Sequence, residues 1–162
     1  MNKQNGFTLI EVLIAMLVLA IGLLGLAGLQ ATSLRNTQSA YNRSLATQLA
    51  YDLADRMRAN ISGVPSYTTS SPAQNTNCKN TNGCSPAQMA QNDLYEWKCA
   101  VARGCENDTT PIVAVLPSGV FSLPTVVTVG AAKVYTITVS WSDWDDVTHD
   151  VKTVSFTTSF QL

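Results

Sequence analysis

Charge is nearly missing from the start of this chain. Between Lys3 and Arg35 the only charged side chain is Glu11. Over all 162 residues 13% are charged, against roughly a quarter in an ordinary soluble domain. Basic clusters are missing too. The net charge is −1, and the nearest thing to a patch is Arg35, Arg43, Arg56 and Arg58. The last two have Asp52 and Asp55 at helical spacing, so they are expected on a solvated helix face. That leaves no electrostatic footprint for nucleic acid, and none is expected as a partner. Histidine occurs once, at His149. There is no Gly-rich phosphate loop and no H-E-x-x-H, and no nucleophile–base set can be assembled from sequence. Neither an enzyme, a cofactor nor a metal site is expected. Asp143, Asp145 and Asp146 lack the EF-hand pattern and are expected in a solvated hairpin loop, with Trp144 beside them as a candidate contact for a partner.

What is present begins with a long apolar run, Phe7 to Leu29. As a helix it would be ~35 Å long, enough to cross a hydrocarbon core of ~30 Å. A secretory signal would place its small residues after a shorter apolar stretch. Here the small residue, Gly6, precedes the run, so a cut at Gly6 would keep the run in the mature protein. Glu11 is the anomaly. An ionisable group in an apolar span costs on the order of 3 kcal/mol at mid-membrane. A cut after Gly6 would free the α-amino group of Phe7, about 6 Å from Glu11 along a helix, and an ammonium near a carboxylate favours the charged form of both. A neighbouring chain's amine could serve equally. Gly22, Gly25 and Gly28 fall three apart, a spacing that suits close packing of membrane helices.

No proline or glycine occurs from Gln30 to Ser62. Leu34, Tyr41, Leu45, Leu49, Leu53, Met57 and Ile61 recur at spacings of seven and four, one helical stripe. Asp52–Arg56 and Asp55–Arg58 are spaced as helical ion pairs. Gly63 and Pro65 are a stop signal, so one helix is expected from Phe7 to Ser62. Val64 to Ser85 reads as a long loop. A short helix follows, with Ser85 as its cap, Pro86 in its first turn and Gln88 completing a capping box. Ala90, Leu94 and Trp97 should face inward, and Gly104 should end it. Ile112–Leu116, Thr125–Val129, Val134–Trp141 and Thr153–Phe160 read as strands. The alternation of Tyr135, Ile137, Val139 and Trp141 makes a half-buried antiparallel sheet. The expected fold class is α+β, with a terminal sheet laid on the second half of a long helix.

Cys78, Cys84, Cys99 and Cys105 form two C-x5-C pairs, unlike the C-x2-C of most zinc sites. In an oxidising compartment two disulfides are expected. Three connectivities are open, and local Cys78–Cys84 and Cys99–Cys105 pairing is preferred.

Gly6-Phe7-Thr8-Leu9-Ile10-Glu11 opening an apolar helix resembles the signal of type IV prepilins and type II secretion pseudopilins. The resemblance implies a pilin fold and cleavage between Gly6 and Phe7 by prepilin peptidase. It also implies N-methylation of Phe7 and a salt bridge from Glu11 to a neighbouring subunit's N-terminus. Residues 22–30 (GLLGLAGLQ) and 53–60 (LADRMRAN) resemble the minor pilin PilV family more narrowly. The layout implied is a cytoplasmic leader at 1–6, a transmembrane and filament-core helix at 7–29, its amphipathic continuation at 30–63 and a periplasmic, disulfide-containing head at 64–162. The partners implied are other minor and major pilins, prepilin peptidase and an inner-membrane assembly platform. The implied place is the bacterial inner membrane, then the pilus at or near its tip, in adhesion or twitching. A secretion pseudopilin and a single-span anchored binding module are the alternatives.

Overall fold

The computed structural model describes residues 8–81, 83–102, 115–145 and 147–162. It divides into two compact units, Met1–Gln38 and Ser39–Leu162. Helix α1, Leu9–Ala59, accounts for the described secondary structure of the first unit and opens the second. The Thr8 carbonyl starts it by accepting from the Glu11 and Val12 amides. Every described side chain of the first unit is exposed.

α1 stops three residues short of the expected Ser62 and tightens into a 3-10 turn, Ile61–Gly63. Helix α2, Val64–Thr69, follows at once, with Pro65 in its first turn. A proline that cannot continue one helix is suited to start the next, where its missing N–H has no partner to lose. The expected loop over 64–85 is therefore partly helical, with a second 3-10 turn at Thr76–Lys79. Helix α3, Pro86–Val101, carries the expected capping box. Gln88 N–H donates to Ser85 Oγ at 3.3 Å, and Ser85 N–H to Gln88 Oε1 at 2.9 Å. Ala90, Leu94 and Trp97 are buried as expected. The helix ends at Val101, and Gly104 lies outside the described residues.

The sheet comprises β1 (Thr125–Val129), β2 (Ala132–Asp145) and β3 (Asp150–Gln161), antiparallel and in that order. Gly130 and Ala131 join β1 to β2, with Gly130 at φ 63°. Positive φ at the first central residue alone is what a type II′ hairpin requires. The β2–β3 pairing runs further than the expected strands, out to Asp145 opposite Asp150. Asp143, Trp144 and Asp145 are thus strand residues, and Trp144 stands across from Val151. The carboxylates have partners. Ser39 Oγ donates to Asp143 Oδ2 at 2.6 Å, and Lys152 Nζ to Asp145 Oδ2 at 2.8 Å. Asp146 lies outside the described residues, as does the expected strand at Ile112–Leu116 up to residue 114. Leu116 itself is buried in a bend.

Alternation places Tyr135, Ile137, Val139 and Trp141 in the core. On the opposite face, Thr136 pairs with Ser159 and Thr138 with Thr157 through their hydroxyls. The helix contributes differently from expectation. Its core residues are Ala46, Ala50, Leu53, Ala54 and Met57, with Leu45 and Leu49 half-buried, while Leu34, Tyr41 and Ile61 are exposed. The buried line is rotated from the bulky stripe onto alanines. Small side chains let large ones from other elements approach the helix backbone. Trp97 does so, its indole N–H donating to the Leu49 carbonyl at 2.8 Å. Its ring meets Phe121 edge-on at 5.6 Å. At the other end of the helix, the Arg58 guanidinium lies 4.9 Å over the Phe160 ring.

Two glycines are held by space rather than by torsion. A Cβ on Gly63 would lie 2.4 Å from the Pro86 carbonyl oxygen, and one on Gly119 only 1.8 Å from that of Val101. Neither backbone oxygen can swing aside as a side chain can. Gly119→Ala is expected to destabilise the head by about 1–3 kcal/mol, the usual cost of overpacking. Gly130→Ala, which has open space but positive φ, should cost about 1–2 kcal/mol. Thermal unfolding of the two variants gives the order.

Candidate functional site

Two regions concentrate the unusual chemistry, one in each unit. In the first, nothing among the described residues covers an apolar helix surface. Leu13, Leu17, Leu24 and Leu29 are all more than half exposed. Soluble proteins rarely expose contiguous apolar patches beyond a few hundred Å², so this surface has to meet lipid or other helices. α1 is long and apolar enough to cross a membrane. Glu11 sits in its first turn, exposed, the single acid among Leu9, Ile10, Val12 and Leu13. Gly6 and Phe7, the expected cleavage and methylation sites, lie outside the described residues. Nothing described comes within 4 Å of where a Cβ would stand on Gly22, Gly25 or Gly28. Whatever close approach these glycines serve is not made within the described chain.

In the second unit an ion cluster joins the end of α1 to α3. Arg56 was expected on a solvated face with Asp52, and that pair forms, Nε to Oδ2 at 2.9 Å. The guanidinium also reaches Asp93 Oδ1 at 3.1 Å and Glu96 Oε2 at 2.9 Å. Asp93 is buried, and its other oxygen accepts from the Tyr67 hydroxyl of α2. Asn60, just past α1, donates to the Pro86 carbonyl at 2.8 Å. Three helices therefore meet on one arginine. The sequence showed Asp52 four residues away but gave no sign of Asp93 or Glu96, which lie 37 and 40 positions on.

Electrostatics follow from this packing. Burial pushes the Glu96 carboxyl up, but hydrogen bonds from Arg56 and Lys79 outweigh it, and the pKa lies below the usual glutamate value. Burial and the bond to Asp93 hold the Tyr67 phenol above its usual value, against a smaller opposing pull from Asn60 and Arg56. The arrangement offers no activated nucleophile. It fastens helices.

Of the expected disulfides, Cys78–Cys84 is formed, with a Cα–Cα distance of 4.9 Å. Cys99 is buried on α3, and Cys105 lies outside the described residues. The closed loop leads straight into the Ser85 cap. Among the described residues, no His, Cys, Asp or Glu group of three or more has the arrangement of a metal site.

These features correspond to known families. A prokaryotic N-terminal methylation motif matches residues 1–27. The type IV pilin Tt1218 family matches residues 28–95, which take in the rest of α1, α2, the disulfide loop and most of α3. The two matches support the type IV prepilin superfamily. Together with the uncovered helix they fit a pilin or pseudopilin subunit, anchored in a membrane and then assembled. They imply processing by prepilin peptidase and packing with other pilins. Pilins are in general structural rather than enzymatic. Neither match singles out the PilV family. No curated protein and no solved structure matches the chain.

Acid should act on this protein through Glu96. A depressed carboxyl pKa contributes stability that is complete above the ordinary glutamate value, about pH 4.3. That contribution is lost as pH falls from there through the folded value. Unfolding midpoints should drop in that window, and Glu96→Gln should shallow the drop. Arg56→Met should cost about 3 kcal/mol at neutral pH, because it strands the buried Asp93 charge. Denaturant titration of both variants checks the two expectations.

Proposed function

We propose that the chain is a minor type IV pilin of the PilV kind, a structural subunit that primes or caps pilus assembly and supports adhesion and twitching. The observation that carries this reading is the Gly6-Phe7…Glu11 signal opening an apolar helical stretch whose side chains are exposed from Leu9 to Leu29. The domain plan follows: leader 1–6, membrane and filament-core helix 7–29, amphipathic continuation 30–63 and exported head 64–162. In the membrane, lipid covers the helix. In the filament, neighbouring helices do.

Exchanging lipid for helices gains little by itself, since hydrocarbon tails are as apolar as leucine. Direction and register must come from polar groups, and Glu11 is the only charged side chain available between Lys3 and Arg35. Paired with the methylated α-amino group of a neighbour's Phe7, it would set axial position. Gly22, Gly25 and Gly28 would admit the neighbours' backbones. The inner membrane holds the subunit until the assembly platform extracts it. In the head, a Cys99–Cys105 bridge would be the local counterpart of Cys78–Cys84. The pseudopilin reading shares the anchoring, cleavage and packing steps above.

The deciding measurement is the mature N-terminus, by mass spectrometry, with and without prepilin peptidase. A chain beginning at methylated Phe7 only when the peptidase is present is the expected result. An intact Met1 in both strains would sink the proposal. Glu11→Val should leave the protein in the membrane and absent from sheared filaments. A mutant that still entered filaments would remove Glu11 from the mechanism.

A further inference from the structure

The Cys78–Cys84 loop does more than close on itself. The second 3-10 turn, Thr76–Lys79, contains Cys78, and Lys79 Nζ lies 3.2 Å from Glu96 Oε1. Glu96 Oε1 also accepts from Asn92 Nδ2 at 3.2 Å, while Oε2 takes Arg56 at 2.9 Å. One carboxylate thus joins the disulfide loop on one oxygen to the end of α1 on the other. Two more contacts run from the same segment to α3. The Asn75 amide donates to Asn92 Oδ1 at 3.0 Å, and the Ala73 amide to the Gln91 carbonyl at 3.1 Å. Past the loop, Cys84 precedes the Ser85 cap directly. Cys78 and Cys84 therefore bracket the stretch that must be in place for Lys79 to reach Glu96.

Lys79 has a long, half-exposed side chain, and an ion pair of that kind is normally worth little because ordering the chain costs entropy. A covalent tie one residue away holds its backbone in place, so that only the side chain is left to order. We propose that the Cys78–Cys84 pair is a redox-sensitive clasp: oxidation seats Lys79 on Glu96 and so completes the ion cluster that joins α3 to α1. The oxidant is a disulfide of the compartment. It takes two electrons and two protons from the thiols of Cys78 and Cys84 and leaves as a dithiol, through a mixed disulfide. Before export into an oxidising space the thiols stay reduced and the cluster lacks its lysine. The clasp thereby makes the junction depend on where the head is, which rests on the exported-head reading above.

The test uses the purified full-length chain and needs no pilus, so its result is separate from the assembly reading. Glutamate labelled with 13C at the carboxyl reports Glu96, which shares its type only with Glu11 and Glu106. The carboxyl is titrated by NMR in the wild type, in Cys78→Ser/Cys84→Ser, in Lys79→Met and in the triple variant. The serine pair leaves Cys99 and Cys105 untouched. The clasp requires the serine pair and Lys79→Met to raise the Glu96 pKa to the same extent, with no further rise in the triple variant. Hydrogen exchange should quicken in the first turns of α3 in all three variants. An unchanged Glu96 titration in the serine pair overturns the proposal, as do shifts that add in the triple variant. Global unfolding of the serine pair overturns it as well, since the bond would then support the whole head rather than the clasp.

Discussion

One helix has to satisfy two solvents. Over residues 9–29 every side chain of α1 is exposed and, Glu11 aside, apolar. From Asn42 onward the same helix buries one side, on alanines, Leu53 and Met57, beneath a folded head. The two demands call for different sequences. The first part has no buried face at all among the described residues. The second must have a face, because a sheet and another helix cover one side only. Glu11, the three glycines and the scarcity of charge belong to the first demand. The Arg56 cluster and the Trp97 contact belong to the second.

The cluster is where the second demand is met most sharply. Hydrophobic packing onto alanines is close but unspecific in register, since one alanine resembles the next. A guanidinium with carboxylates at Asp52, Asp93 and Glu96 has one best position. Burying charge of this kind contributes less to net stability than to uniqueness of the packed state. The Tyr67–Asp93 bond draws α2 onto the same point, so the chain turns back at Gly63 and Pro65 into a defined seat rather than a loose loop.

Much of this was legible beforehand because it is local. The apolar run, the capping box at Ser85–Gln88 and the alternation in β2 are patterns within a few residues, and each appears in the structure. The bulky stripe on α1 misled for a physical reason. Periodicity ranks leucine above alanine, yet a tightly packed helix selects small residues where a tryptophan must reach its backbone. Arg56 misled in the same way, with a visible partner at Asp52 that hid the distant ones. Gly63 read as the stop of a helix that in fact ends at Ala59, and what demands a glycine there, the Pro86 carbonyl, lies in another element. The strands near Asp143–Asp150 were read too short because three aspartates suggest a loop, and nothing local shows that Ser39 and Lys152 satisfy two of them.

The position of Phe160 has a consequence for synthesis. β3, which carries it, pairs along its whole length with β2, and the Phe160 ring receives Arg58 from the far end of α1. The Arg58–Phe160 contact spans about a hundred positions, and contacts of that separation form late. While β3 is still inside the ribosome's exit tunnel, the sheet is short of a strand. α1 is therefore made well before the head it carries can close, which waits for β3 to emerge.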